Sequence, residues 1–274
     1  MSILSLAPLT VLPASPLAQI EAAHVAGFDA VGLRLQPVIP TDIDVMRDAN
    51  LLRDIAWRLA ATGLKVLDIE VFRIGPHADI ASMLPAMEFA GSLGAQYMLC
   101  TSMLVDEHVA SEESRTVEKF AELCDAGVRL GIKPMLEFMI YRSVGTIEDA
   151  LRMVKLVNHP NLGICVDALH LSRSGGAPDS LRKVDPRLLC YAQICDAPAA
   201  LPPASRIPLE ARSHRLYPGE GSLPLRELLD ALPPDIPLSV EAPNSQCAHL
   251  SAIERAHAVA RCTRALLQSS GLRD

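Results

Sequence analysis

Lys133-Pro-Met-Leu-Glu137-Phe138, then Thr146-Ile-Glu-Asp-Ala-Leu-Arg-Met-Val-Lys-Leu-Val-Asn158, then Leu162-Gly-Ile-Cys-Val-Asp167. The first and third runs are short and apolar, each bounded by turn residues and ending on or beside an acid, as buried strands are. The middle run opens on a hydroxyl cap with acids two and three positions on, in the first turn. It then repeats apolar residues at Ile147, Ala150, Leu151 and Val154, the period of a helix with one buried face. Strand, crossover helix and strand in this order make a parallel pair. Working outward, the same unit recurs along the chain. Further candidate strands are Ile3–Leu9, Ala30–Leu35, Lys65–Phe72, Gln96–Thr101, Leu188–Cys195 and Pro237–Glu241. Helical patterns follow at Pro16–Ala26, Val45–Ala61, Ile80–Leu93, Glu112–Leu130, Leu223–Ala231 and Leu250–Gln268, with a short turn near Ala168–Ser174. Gly27, Gly63, Gly94 and Gly131 stand where helix C-caps belong. Eight strand–helix units predict an α/β chain closed as a single (β/α)8 TIM barrel over residues 1–274. An open dinucleotide-binding sheet would want a Gly-rich first turn, and this chain has Ala7-Pro8-Leu9-Thr10 there.

Composition agrees. The chain has 274 residues, of which 50% are hydrophobic, 21% charged and only 4% aromatic, so the core is large and aliphatic. A net charge of −7 argues against sequence-independent nucleic-acid binding. No run approaches the roughly 18 apolar residues of a membrane span. Met1–Ser15 lacks a basic start and is interrupted by Pro8 and Pro13, unlike a signal peptide. The seven cysteines sit in apolar stretches without a CxxC pair. They read as small buried hydrophobes in a reducing, cytoplasmic setting. The expected partner is a small molecule, with homo-oligomerisation left open.

Barrel enzymes place their chemistry at the C-terminal strand ends. Those ends carry Glu70, Glu137, Asp167, Gln193 with Asp196, and Glu241. Acids embedded in apolar runs are costly unless compensated. One such acid usually pairs with an arginine or caps a helix, and for Glu70 the candidate partners are Arg34, at the end of the neighbouring strand, and Arg73. Glu137, Asp167 and Glu241 converging on one mouth call for a divalent cation instead, and oxygen ligands suit Mn²⁺ or Mg²⁺, with Co²⁺ or Zn²⁺ as alternatives.

Leu136-Glu137-Phe138, Val166-Asp167-Ala-Leu-His170, Ala192-Gln193-Ile-Cys-Asp196, Val240-Glu241 and Leu216-Tyr-Pro-Gly-Glu-Gly-Ser-Leu-Pro-Leu225 together resemble the xylose-isomerase-like TIM-barrel superfamily. That group includes sugar and sugar-phosphate isomerases and epimerases, inosose isomerases and dehydratases, and 3-dehydroshikimate dehydratases. The resemblance implies metal ligation by Glu137, Asp167, Gln193 and Glu241. It also implies an acid–base pair of Glu137 and Glu241, and a substrate-site role for His170. Two departures bear on the substrate. Gln193 stands where many isomerases and epimerases have histidine, as in the dehydratases. Met139 stands where those dehydratases tend to have a histidine.

An α-hydroxyketone held at such a site loses an α-proton to a carboxylate. Reprotonation gives isomerisation or epimerisation, and loss of a β-hydroxyl gives dehydration. A sugar, sugar phosphate or polyol ketone is the first expectation for the substrate, and a cyclic keto acid the second. The connection from Asp196 to Ser222 is long and rich in Pro and Arg. Its Arg206, Arg212 and Arg215, with Glu70, are the candidate substrate contacts, the arginines for a carboxylate or phosphate. His214 lies in the same segment. His77 and His108 follow strands in loops, whereas His24 and His257 fall within helices. A nuclease of the same superfamily would need more histidine ligands than this pattern offers, and a non-catalytic binding barrel is the remaining alternative.

Overall fold

The structure, a computed structural model, describes residues 2–38 and 42–269. Met1, residues 39–41 and residues 270–274 of the expected 1–274 domain lie outside the described residues. Eight parallel strands close into a barrel in chain order. They are β1 (Leu4–Leu6), β2 (Ala30–Leu33), β3 (Lys65–Arg73), β4 (Tyr97–Thr101), β5 (Lys133–Glu137), β6 (Gly163–Asp167), β7 (Leu189–Ile194) and β8 (Leu238–Val240). β1 pairs with β8 through Leu4↔Leu238 and Leu6↔Val240, so no edge remains.

The helices are α1 (Pro8–Val11), α2 (Pro16–Val25), α3 (Ala49–Thr62), α4 (Ile80–Ser92), α5 (Glu113–Leu130), α6 (Ile147–Val157), α7 (Ala168–Arg173), α8 (Pro178–Leu181), α9 (Ile207–Ser213), α10 (Leu225–Ala231) and α11 (Ala252–Ser269). The capping box read at Thr146 is present. The Thr146 hydroxyl accepts from the Asp149 amide at 3.1 Å, and the Asp149 carboxylate accepts from the Thr146 amide at 3.1 Å. Gly63 and Gly131 end α3 and α5 at φ of 71° and 70°, a conformation in which a Cβ would be strained. Strand residues such as Leu33, Leu136 and Val240 pack with helix residues such as Ile55, Phe120 and Val259 in one core. A smaller cluster of Ala30, Leu67, Leu99, Met135, Cys165 and Tyr191 comes from strands alone and plugs the barrel interior.

One expectation is corrected. The strand placed at Ile3–Leu9 ends at Leu6, and Pro8 starts the one-turn α1. Proline has no N–H for a strand ladder but suits a first helical turn. There Thr10 Oγ1 donates to the Val240 carbonyl at 2.8 Å and accepts from the Ala242 amide at 2.9 Å, anchoring the end of β8 beside Glu241. The long connection after β7 contains a 3-10 turn at Ala204–Arg206 and then α9. Asp196 holds the return of this segment. Its carboxylate accepts from Gly219 at 3.0 Å, Leu223 at 2.9 Å and Ala197 at 2.8 Å. That acid is a loop clamp. A side chain at Gly221 would collide with it and with the Ala197 backbone.

Candidate active site at the barrel mouth

Parallel strands deliver their C-terminal residues to one face, so acids far apart in sequence meet there. Thr101 aligns with Glu137, and Asp167 with Gln193. One potential ligand atom from each of Glu137, Asp167 and Glu241 lies within 4.8 Å of the others, and all three residues are buried. Glu137 Oε1 and Gln193 Nε2 are buried without hydrogen-bond partners. Burial, then Glu241 and Asp167, push the Glu137 carboxyl well above its ordinary range. An orphaned carboxylate oxygen among like charges is a poor protein contact and a good ligand for a hard cation. The donor set therefore fits a divalent ion, with Glu137, Asp167 and Glu241 as acids and Gln193 offering an amide oxygen after rotation about its terminal bond.

Arg215 also belongs to this cluster. It is 2% exposed; Nη1 lies 2.6 Å from Asp167 Oδ2 and Nη2 lies 2.9 Å from Glu241 Oε2. Its Nε donates to the Ala211 carbonyl at 2.7 Å and Nη1 to the Glu241 carbonyl at 3.0 Å, so α9 is what carries the guanidinium inward. Burial disfavours charge at Asp167, but Arg215 and His170 outweigh it and hold the carboxyl below its ordinary range. Burial raises Glu241 to about 8 despite Arg215.

His170 is 1% exposed. Its amide donates to Asp167 Oδ1 at 3.0 Å, and its Nε2 lies 3.8 Å from Glu137 Oε1. Burial lowers its pKa to about 4, so the ring is neutral near pH 7. Tyr141 packs edge-on to it at 5.9 Å between ring centroids. Glu70 takes the pairing that sequence allowed: Arg34 Nη2 is 3.0 Å from Glu70 Oε1, while Glu70 Oε2 is buried without a partner. Burial lifts Glu70 to about 7.

These groups surround a cavity of about 160 Å³ at the mouth, lined by Glu70, Glu137, His170 and Glu241 with Arg34, Arg73, Tyr141, Arg142, Arg212 and Arg215. One water needs roughly 15 Å³, so this space admits a small organic molecule. Of the candidate contacts, Glu70, Arg212 and Arg215 reach the cavity. Arg206 does not; it is exposed and lines a separate groove with His214 and Asn244. The reason is local: Arg206 precedes α9, whereas Arg212 lies within it and Arg215, two residues past its end, is held at the mouth by the Ala211 carbonyl and by Asp167 and Glu241. His77, His108, His24 and His257 are exposed and absent from the lining. Sequence reading passed over Tyr141 and Arg142. Their position just past Glu137, in a loop at the C-terminal face of β5, was the available signal.

A closed eight-stranded parallel barrel with a buried acid cluster at its C-terminal mouth defines a barrel of the enzyme type, built for a polar ligand and a cation. The model of the family described as xylose isomerase-like TIM barrel matches residues 20–266, and the chain belongs to that family. It is 28% identical over 162 residues to an inosose isomerase of Bacillus subtilis, covering 58% of this chain and 56% of that relative. The match thus spans little over half of that relative's length. It is 24% identical over 222 residues to a 3-dehydroshikimate dehydratase of Pseudomonas aeruginosa, covering 77% of this chain and 33% of the relative. Among solved structures, the IOLI protein with a bound zinc atom superposes with a TM-score of 0.83 at 24% identity, over 98% of this chain and 99% of that one. That likeness is one of fold.

Proposed function

We propose that this protein is a divalent-metal-dependent isomerase or epimerase of a small sugar, sugar phosphate or polyol ketone. The observation that carries the reading is the buried trio Glu137, Asp167 and Glu241 opening onto a cavity of small-molecule size. A divalent cation held by these acids and Gln193 would supply positive charge where a substrate carbonyl oxygen turns negative. The protein's own groups do the rest. A carboxylate of Glu137 or Glu241 takes the α-proton, and the same group or its counterpart returns it to one of the two carbons of the enediolate. His170, neutral at working pH, is placed to hold a substrate hydroxyl or pass its proton. Arg215 keeps Asp167 and Glu241 in position. Mn²⁺ or Mg²⁺ as the ion, residues 1–274 as one domain and a cytoplasmic location belong to the same proposal, supported by the oxygen-rich donor set, the continuous barrel and the apolar surroundings of the cysteines.

The second reading, a metal-dependent dehydratase of a cyclic keto acid such as 3-dehydroshikimate or of an inosose, is favoured by the neutral amide of Gln193 where many isomerases of the family carry histidine. One experiment separates the two. The Mn²⁺-loaded protein is incubated in D₂O with an inosose, a ketose and 3-dehydroshikimate, and followed by NMR. Deuterium incorporation with an isomeric product supports the isomerase, and an enone or an aromatic acid supports the dehydratase. Neither exchange nor product with any of them would refute both.

A further inference from the structure

We infer that the substrate carries an anionic group, a carboxylate or a phosphate, and that Arg73, Arg142 and Arg212 receive it at the rim of the cavity. This rests on the proposed enzymatic reading of the mouth and specifies its substrate class.

The five arginines lining the cavity fall into two sets. Arg34 and Arg215 are bound to Glu70 and to Asp167 with Glu241. The other three have no acidic partner among the described residues. Arg73 and Arg212 are exposed at the opening. Arg142 is only 7% exposed; its Nη1 donates to the Ser102 carbonyl at 3.1 Å, and its Nε is buried with no partner at all. Its guanidinium lies 6.0 Å from the Tyr141 ring centroid, beside the cavity. Burial lowers the Arg142 pKa, Arg73 and Arg212 lower it further, and Tyr141 and Glu137 offset only part of this, so Arg142 feels the charge of both neighbouring arginines at the opening.

Such a group is expensive. A buried guanidinium nitrogen without an acceptor bears the full desolvation cost, and like charges add repulsion. The acids deeper in the site would offset little of it in the loaded enzyme, because the cation they are suited to hold and Arg215 would then balance their charge. An anion seated between the three guanidinium groups relieves both costs at once, and the forked N–H donors of arginine match a carboxylate or phosphate. The reacting carbons would then lie toward Glu137 and Glu241, with the anionic end outward.

Matched probe pairs test this by calorimetry, with and without Mn²⁺: 3,4-dihydroxybenzoate against catechol, and fructose 6-phosphate against fructose. The expected result is that one anionic probe binds about tenfold or more tightly than its neutral partner, as one charge-assisted contact predicts. R73Q and R212Q, both exposed and so free of folding risk, reduce that ratio at least threefold each, and R142Q reduces it more. The carboxylate and phosphate pairs tell the two anions apart. Equal affinities within both pairs, or a preference that survives all three substitutions, would overturn the inference. A preference that is intact in a protein showing no Mn²⁺ binding and no turnover would instead sink the metal-enzyme reading and leave this one standing.

Discussion

The lower barrel interior and the mouth both bury acids, and they neutralise them differently. In the interior, Asp68 is 0% exposed, and its Oδ2 accepts a hydrogen bond from the Tyr191 hydroxyl at 3.2 Å. Tyr191 stacks on Tyr97 with ring centroids 5.1 Å apart, inside a sleeve of Leu67, Leu99 and Met135. Burial, with a smaller push from Glu241, raises Asp68 to about 7, so this acid is protonated below neutrality and half ionised near it. At the mouth, Asp167 stays ionised beside Arg215 while Glu137 and Glu241 are pushed up. A single buried acid is settled by a proton and a hydroxyl. Three adjacent acids with one arginine leave room for a cation, and that difference separates a structural layer from a reactive one.

The comparison can be broken most severely at Glu241. Glu241→Gln removes a ligand and a partner of Arg215, and Mn²⁺ affinity should fall by roughly two orders of magnitude together with turnover, since ligand and supporting residues at metal sites weigh this much. Calorimetric titration with Mn²⁺ and a steady-state assay check it; unchanged values for both would remove the metal centre from the mouth. His170→Ala comes next. The expected loss is about 10²–10⁴-fold in kcat with far-ultraviolet circular dichroism unchanged, the range for a positioned acid–base group. A change of only a few-fold would make His170 a packing residue against Tyr141.

A third prediction concerns pH in the metal-free protein. Burial raises Asp68 and Glu70 to about 7 and Glu241 to about 8 from ordinary values of 3.8, 4.5 and 4.5. The folded chain therefore holds protons that the unfolded chain has already released. Their contribution is fully present below about pH 4 and is lost as pH rises through 7 to 8. Tm measured with a chelator from pH 5 to pH 8.5 should decline, and added Mn²⁺ should reverse the decline at the upper end. A Tm that climbs across this window would contradict the raised values. The smallest effect is assigned to the interior. Tyr191→Phe strips Asp68 of its only side-chain donor among the described residues and should cost about 1–3 kcal/mol of unfolding free energy, the usual penalty for an orphaned buried polar atom. Mn²⁺ affinity should not change, and urea unfolding alongside metal titration would show whether the two layers are independent.

The barrel was legible in the sequence because its evidence is local. Apolar runs end on acids, helices open at Thr146 and close at Gly63 and Gly131, and the unit recurs around the ring. Once the strands are known to be parallel, Glu137, Asp167 and Glu241 must share one face, so their convergence followed from chain order alone. Sequence did not decide where the arginines go. Arg215 reaches Asp167 across 48 residues and the Glu241 carbonyl across 26, Arg142 is held by Ser102 across 40, and Arg206 faces another groove. No periodicity encodes such pairings. A long side chain takes whichever partner the folded loops bring within a few ångströms, and α9, which the Pro- and Arg-rich segment gave little sign of, is what turns Arg215 inward. The acids were set by strand ends, and their charge balance was set by tertiary packing, because Coulomb energy depends on distance through space.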